Sequence, residues 1–326
     1  MERIVQQTDY DALSCRISAI SKGYLPSPSL QIERCHYNGY REMHVEYLRA
    51  LKNVSMKIHS KVYQVAKTSF PVMNYGTYLR TVSIDLALDE FLKLVGEDRK
   101  VQVVNLGCGS DLRMVPLLRN HSNLFYVDVD YESSISVKRK VLWESPMLRE
   151  MLDLKREDAT GEVSSERYKL LPCDLNRLDQ TMRGLEALTG PDCPTVIISE
   201  CLLCYMADRE SQQLIDSVKG FYKSGSWISY DPIGGSAPGD RFGVIMQNNL
   251  KESRNLDMPT LMVYNSTEKY ASRFHGADTT ASDMWEVLTS QISNEESARL
   301  RSLQFLDEIE ELKVMQKHYL LLVARW

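Results

Sequence analysis

The sequence contains no apolar run approaching the roughly 18 residues that would span a bilayer. Its N-terminus, MERIVQQTDYD, is polar and carries acids, which excludes the basic-then-apolar order of a secretory signal. Metal-ligand spacing is missing as well. The six histidines (His36, His44, His59, His121, His275 and His318) are scattered without an H-x-x-x-H or H-E-x-x-H pattern. The C-x-x-C of Cys201 and Cys204 encloses two leucines and has no second Cys or His pair nearby, so no zinc is expected. Seven cysteines, an odd number without a signal peptide, fit free thiols in a reducing compartment. There is no excess of positive charge: the net charge of -5 argues against a chain-wide surface for nucleic acid. Repeats and low-complexity tracts are absent too. These absences leave a soluble cytoplasmic enzyme or binding protein with no membrane partner as the expectation.

What is present is ordinary globular material. The chain has 326 residues, 43% apolar and 25% charged, enough for one large domain or two of usual size. Residues 1–97 read as helical. Tyr10, Leu13, Ile17 and Ile20 recur at spacings of three and four, and Leu48, Leu51, Ile58, Val62 and Val65 fall on one longer stripe. Pro26 and Pro28 separate these helices, and a third is expected from about Tyr78 to Val95 with Gly96 as its stop. From residue 98 to 326 the texture changes. VQVVNL (101–106), LFYVDV (124–129), YKLLP (168–172), TVIIS (195–199), SWISY (226–230) and HYLLLVARW (318–326) are strand candidates. The segments 131–152, 178–188 and 208–223 between them read as helices. Apolar strands alternating with helices indicate an α/β fold with a parallel sheet covered on both faces. Residues 233–300 interrupt the alternation with one helix, carrying Phe242, Ile245, Met246 and Leu250 on a face, followed by irregular polar sequence. That segment reads as an insertion over the sheet's carboxyl edge, where α/β proteins bind ligands.

The most informative stretch is VVNLGCGSDLR, Val103 to Arg113. A strand runs into Gly107-Cys108-Gly109 and then a helix, and glycines there admit a ligand close to the backbone. Asp128 stands 19 residues beyond Gly109 at the end of the next strand, where an acid suits ribose hydroxyls. Leu112 occupies the place of the third glycine of the dinucleotide fingerprint, which counts against NAD and FAD. The P-loop lysine is missing, which counts against ATP and GTP. S-adenosylmethionine, which has no phosphate, fits better. Cys173-Asp174-Leu175-Asn176 and Ser199-Glu200-Cys201 follow the third and fourth strands. An isolated acid reads as a helix cap or a loop charge; Asp128, Asp174 and Glu200 at consecutive strand ends read as one crevice. Lys138-Arg139-Lys140 points three ways around a helix beside Glu132 and Glu144, and reads as a solvated face.

FPVMNYGTYLR, VVNLGCGSDLR, YVDVDY, CDLN, ISECLLCYM, YDPIGG, DRFG and SLQFLDEIEEL together resemble segments of the leucine carboxyl methyltransferases, nearest to the fungal type. The resemblance runs from about Asp11 to the C-terminus. It implies a Rossmann-like S-adenosylmethionine-dependent methyltransferase fold: seven strands, the last antiparallel, an N-terminal helical cap that contributes to the cofactor site, and an inserted substrate region. It implies methylation of the C-terminal leucine carboxylate of the protein phosphatase 2A catalytic subunit, which regulates assembly of the phosphatase holoenzyme, by a monomeric enzyme. Carried over by position, Arg16 and Arg80 are basic cofactor contacts, and Arg80 also lies near the acceptor carboxylate. Gly107 belongs to the turn, Asp128 to the ribose, Asp174 and Leu175 to the adenine side, and Glu200 to the methionine amino end. Tyr205 and Arg241 are expected at the methyl acceptor. A related branch methylates a hypermodified guanosine in tRNA and carries a long C-terminal extension. This chain is expected to stand apart from it, because Trp326 follows directly on the last strand.

Overall fold

The computed structural model describes residues 2–28, 39–157 and 161–326, so Cys35 and His36 lie outside the described residues. Four helices come first: α1 (Glu2–Ser21), α2 (Tyr40–Val54), α3 (Met56–Lys67) and α4 (Pro71–Val95). The stripe expected to run unbroken from Leu48 to Val65 is two helices. Ser55 takes an extended conformation (φ -155°, ψ 98°) and its hydroxyl accepts from Ile58 N at 3.4 Å, which caps α3 and resets the helical phase. α4 begins seven residues before the expected Tyr78, because Pro71 at its first turn forgoes only an N–H that has no helical partner. It stops at Gly96, which has φ 82°. Buried on nearly every side, α4 carries no single apolar stripe.

The α/β part follows as β1 (Val101–Leu106), α5 (Met114–Asn120), β2 (Leu124–Asp130), α6 (Glu132–Glu144), α7 (Pro146–Met151) and a short hairpin β3 (Lys155–Arg156) with β4 (Val163–Ser164). After it come β5 (Tyr168–Pro172), α8 (Leu178–Leu188), β6 (Thr195–Glu200), α9 (Asp208–Phe221) and β7 (Gly225–Pro232). The insertion supplies α10 (Phe242–Arg254), α11 (Thr267–Ala271), β8 (Asp278–Asp283), α12 (Met284–Glu286) and α13 (Asn294–Leu303). α14 (Ile309–Lys317) and β9 (Tyr319–Arg325) end the chain. The expected helix 131–152 is divided at Ser145, whose hydroxyl caps α7.

Seven strands form one sheet in the order β5-β2-β1-β6-β7-β9-β8. The first five are parallel, and β9 runs antiparallel between β7 and β8. The edge strand β8 lies in the segment expected to be irregular. Its sequence, DTTASD, is polar and half exposed, so no apolar alternation marked it. The chain winds outward from β1 in both directions, and the carboxyl ends of β1 and β6 flank the resulting crevice. One continuous buried cluster runs from α1–α4 into the sheet, through Leu13, Tyr47, Tyr78, Leu88, Val103 and Ile198 among others. Among the described residues no helix is long and apolar enough to cross a membrane.

Candidate active site

Register sets the site. Asn105 on β1 pairs with Asp128 on β2 and Ile198 on β6, so the residues just beyond, Gly107 to Gly109, fall between Asp130 and Glu200. Gly107 N and Cys108 N both donate to Val129 O, at 2.8 and 3.1 Å. Gly107 (φ 68°) and Gly109 (φ 44°) adopt left-handed conformations. A Cβ on Gly109 would collide with the carboxylate of Asp9, so space as well as torsion requires glycine there.

The turn is held by two acids. Asp130 Oδ2 accepts from Gly109 N at 2.8 Å, and Oδ1 accepts from Tyr131 N at 2.7 Å. Asp9, reaching over from α1, accepts from Ser110 N at 2.7 Å and from its hydroxyl at 2.8 Å. Burial pushes the Asp9 carboxyl up to about 6 and raises Asp130 as well, against the hydrogen bonds that favour their charged forms. Both line a cavity of about 430 Å³, within the range of small-molecule sites.

At the other end of the cavity Glu200 sits among three arginines. Arg113 Nη1 donates to its Oε2 at 2.5 Å, Arg80 Nε donates to Oε1, and Arg16 Nη2 lies 3.4 Å from Oε1. Burial alone would raise the Glu200 pKa, but the guanidiniums of Arg113, Arg80 and Arg16 hold it far below the usual carboxylate range. Arg113 also donates through Nε to Asp85 Oδ1 at 2.6 Å and through Nη1 to Asp111 Oδ2 at 3.0 Å. The Arg80 guanidinium lies 5.4 Å from the centroid of the Tyr230 ring, which stacks on Tyr319 at 5.6 Å. Tyr205, at the end of a short 3-10 turn (Leu203–Tyr205), completes this end, and burial raises its phenol pKa.

Six of the nine expected site residues line this cavity: Arg16, Arg80, Gly107, Leu175, Glu200 and Tyr205. The other three do not. Asp128 is fully buried beneath the turn; its Oδ2 accepts from the Tyr168 hydroxyl at 2.6 Å and lies 2.7 Å from Lys138 Nζ. The acid that faces the cavity is Asp130, two residues on, since side chains of a strand alternate between faces only at odd steps and the last residue emerges beyond the covered sheet. Lys138 is correspondingly no part of a solvated face. Burial opposes its charge, yet Asp128 holds its pKa above the ordinary lysine range. Asp174 turns its carboxylate into its own loop, where Oδ1 accepts from Asn176 N at 3.0 Å and Nδ2 at 2.9 Å, leaving Leu175 and Asn176 to the cavity. Arg241 is exposed at the N-terminus of α10, outside the lining, because the loop before that helix carries it away from the strand ends.

Sequence reading missed Asp9, Asp130 and Arg113. Asp130 and Arg113 stand inside the quoted segments YVDVDY and VVNLGCGSDLR, so the signal was present. Asp9 gave none, being one polar residue of an amphipathic helix. The six described cysteines are free thiols, and burial raises those of Cys201 (to about 12) and Cys204. Among the described residues no group of three or more His, Cys, Asp or Glu side chains has a metal-holding arrangement.

A sheet of this order, with a ligand crevice over β1, β2 and β6 and a helical cap closing it, defines a Rossmann-like methyltransferase. A solved structure of a methyltransferase-class protein from Thermobifida fusca YX has the same fold, with a TM-score of 0.52 at 11% identity over 92% of this chain and 98% of that one. The leucine carboxyl methyltransferase family model matches residues 40–219. The chain is 49% identical to the Leucine carboxyl methyltransferase 1 of Eremothecium gossypii over the whole of both chains. It is 46% identical to that of Kluyveromyces lactis over 100% of this chain and 99% of the other. The chain therefore belongs to the leucine carboxyl methyltransferase family, as its motifs indicated, and is a carboxyl methyltransferase.

Proposed function

We propose that the chain transfers a methyl group from S-adenosylmethionine to the C-terminal leucine carboxylate of the protein phosphatase 2A catalytic subunit. The observation that carries this reading is the division of the cavity. Its glycine-turn end offers backbone and the Asp130 carboxylate; its other end offers Arg80, Tyr205 and Tyr230. The residues present suit the cofactor. The cradle at Gly109 has no space for a Cβ, and Asp130, Leu175 and Asn176 line the same cavity, where the carboxylate would accept from ribose hydroxyls and the other two would meet the adenine. Leu112 is packed in the core, which leaves no close helix approach of the kind a pyrophosphate uses.

Bound S-adenosylmethionine supplies the methyl group as a sulfonium, whose positive charge is lost as the acceptor's negative charge becomes an ester. A terminal carboxyl has a reference pKa of about 3.3–3.7, so near neutrality it is already a nucleophile and needs no general base. The protein's task is alignment, which can contribute about 7–11 kcal/mol. Arg80 orients the acceptor carboxylate through N–H groups beyond the Nε that it gives to Glu200. Glu200, fixed by Arg113, keeps Arg80 in place and offers negative charge to an ammonium group. Burial of the Tyr205 phenol keeps it protonated, so it donates rather than repels. The cap helix α1 is tied to the turn through Asp9, which accepts from Ser110 N.

The test supplies methyl-labelled cofactor with the intact phosphatase catalytic subunit, the same subunit amidated at its C-terminus, and bulk tRNA. Base-labile label on the intact subunit alone is expected. Equal labelling of the amidated subunit would overturn the carboxylate reading, and label on tRNA would move the chain to the RNA-modifying branch.

A further inference from the structure

We infer that His318, which does not itself line the cavity, is a positioning residue for methyl transfer: as an imidazolium bridging Asp240 and α14, it sets α10 and Tyr319 around the acceptor end. The inference rests on the carboxyl-methylation reading and adds to it an ionic latch behind the site. His318 stands between α14 and β9 and is 6% exposed. Its Nδ1 lies 2.6 Å from Val314 O, and its Nε2 lies 2.9 Å from Asp240 Oδ2. A carbonyl and a carboxylate can only accept, so each ring nitrogen carries a proton and the ring is a cation set against an anion. The Phe242 ring stacks on it, with centroids 4.1 Å apart. The flanking cations Arg241 and Lys317 are exposed, and among the described residues Asp240 is the titratable group that meets the ring.

Asp240 serves both of its neighbours. Its Oδ2 meets the ring, while Oδ1 accepts from Phe242 N at 3.0 Å at the start of α10. A Cβ on Gly235 (φ 83°) would collide with Asp240 Oδ2 and His318 Nε2, so glycine is what lets the loop after β7 close over the pair. Ile233 N donates to His318 O at 2.9 Å, which carries the β7–β9 pairing up to the latch itself. Two consequences reach the cavity. α10, fixed at its first residue, brings Met246, Leu250 and Arg254 to the lining. Tyr319, the residue after His318, also lines it and stacks on Tyr230, the ring beside the Arg80 guanidinium. The glycine turn is held separately, by Asp9 and Asp130. Loss of the latch should therefore loosen the acceptor end and spare the cofactor end.

The experiment measures kcat and KM for the intact catalytic subunit, per folded enzyme, and cofactor affinity by calorimetry, in wild type, His318→Phe, Asp240→Ala and Asp240→Asn. His318→Phe and Asp240→Ala are expected to lower kcat about 10- to 100-fold, the scale of a misplaced reacting group, with cofactor affinity within about twofold of wild type. Asp240→Asn keeps an oxygen for Phe242 N and can donate its amide to an unprotonated Nε2, so it should recover most of the loss. The wild-type latch is present while the ring holds its second proton and is lost as pH rises, whereas the carboxamide needs no such proton. The activity ratio of Asp240→Asn to wild type should therefore climb with pH. Asp240, whose side chain is 20% exposed, keeps the test alive should His318→Phe fail to fold. Unchanged kcat in both disrupting variants, or a parallel loss of cofactor affinity, would overturn the inference and make the contact merely structural. A ratio that stays flat across pH would overturn it too. Absence of label on the intact subunit with the wild type would instead overturn the underlying reading.

Discussion

Lys138 Nζ lies 2.7 Å from Asp128 Oδ2, and neither side chain is more than 1% exposed. The pair lies beneath the glycine turn and links α6 to β2. Removing one partner leaves the other charge buried, which costs about 3–5 kcal/mol, whereas replacing both with apolar groups is often far less costly. Asp128→Ala and Lys138→Met should each lower stability to urea by that amount, and the double variant Asp128→Leu/Lys138→Met by less than either. Undiminished stability of Asp128→Ala with loss of cofactor binding would instead return Asp128 to the ligand.

Asp130, rather than the expected Asp128, lines the cavity, and the proposed ribose contact is assigned to it. Asp130→Ala should weaken S-adenosylmethionine binding by about 1.5–3 kcal/mol, the scale of a hydrogen bond to a charged acceptor. Part of that loss is indirect, because the variant also frees Gly109 N. Calorimetry separates the two carboxylates: wild-type affinity in Asp130→Ala would remove it from the site.

The difference between these two acids shows what the sequence could and could not tell. LFYVDV announces a strand, and an acid at its end announces a ribose contact, but two acids two residues apart share a face in an ideal strand. Which one faces the cavity depends on the buried partner, because Lys138, midway along α6, claims the first. Buried counter-charges are not periodic features, so a lysine inside a basic triplet reads as solvent-facing. By contrast, β1, β5, β6 and the glycine turn were legible because dense Val, Ile and Leu runs have few other uses. Arg241 lies outside the cavity lining for another reason: the path of a long loop is set by what it packs on, here Gly234 against Gly243.

Asp9 ties stability to pH. Its carboxyl is raised by burial from 3.8 to about 6, so between those values the folded state holds more protons than the unfolded one. Stability from this group is then present below about pH 4, declines as pH rises through 6, and stays lost above it. Asp9→Asn keeps an oxygen to accept from Ser110 N without the buried charge. The stability of Asp9→Asn relative to wild type should therefore grow between pH 4 and pH 7, measured as a difference in Tm. Glu200 works in the opposite sense, since its depressed pKa stabilises above about 4.5 and is lost in acid, but it cancels in that comparison. A difference in Tm that is constant across this range would mean that Asp9 is not the titrating group.

Arg80 and Arg113 hold the same carboxylate yet should fail differently. Arg113 is almost wholly enclosed, does not line the cavity, and serves Asp85, Asp111 and Glu200 together. Arg113→Ala would remove the buried guanidinium that Asp85, Asp111 and Glu200 share, a loss of about 3–5 kcal/mol in folding stability. Arg113→Lys should recover little, because an ammonium cannot reproduce a planar fork that reaches three partners. Arg80 opens onto the cavity and shares Glu200 with Arg16 and Arg113, so its removal leaves Glu200 paired. Arg80→Ala should therefore fold with little loss, while kcat/KM for the protein acceptor falls roughly 10²–10³-fold, equivalent to about 3–4 kcal/mol at 1.36 kcal/mol per tenfold. Denaturation and turnover measured on both variants resolve the two roles. If Arg80→Ala retains kcat/KM within about threefold, the acceptor carboxylate is held elsewhere, and Tyr205 becomes the first residue to test.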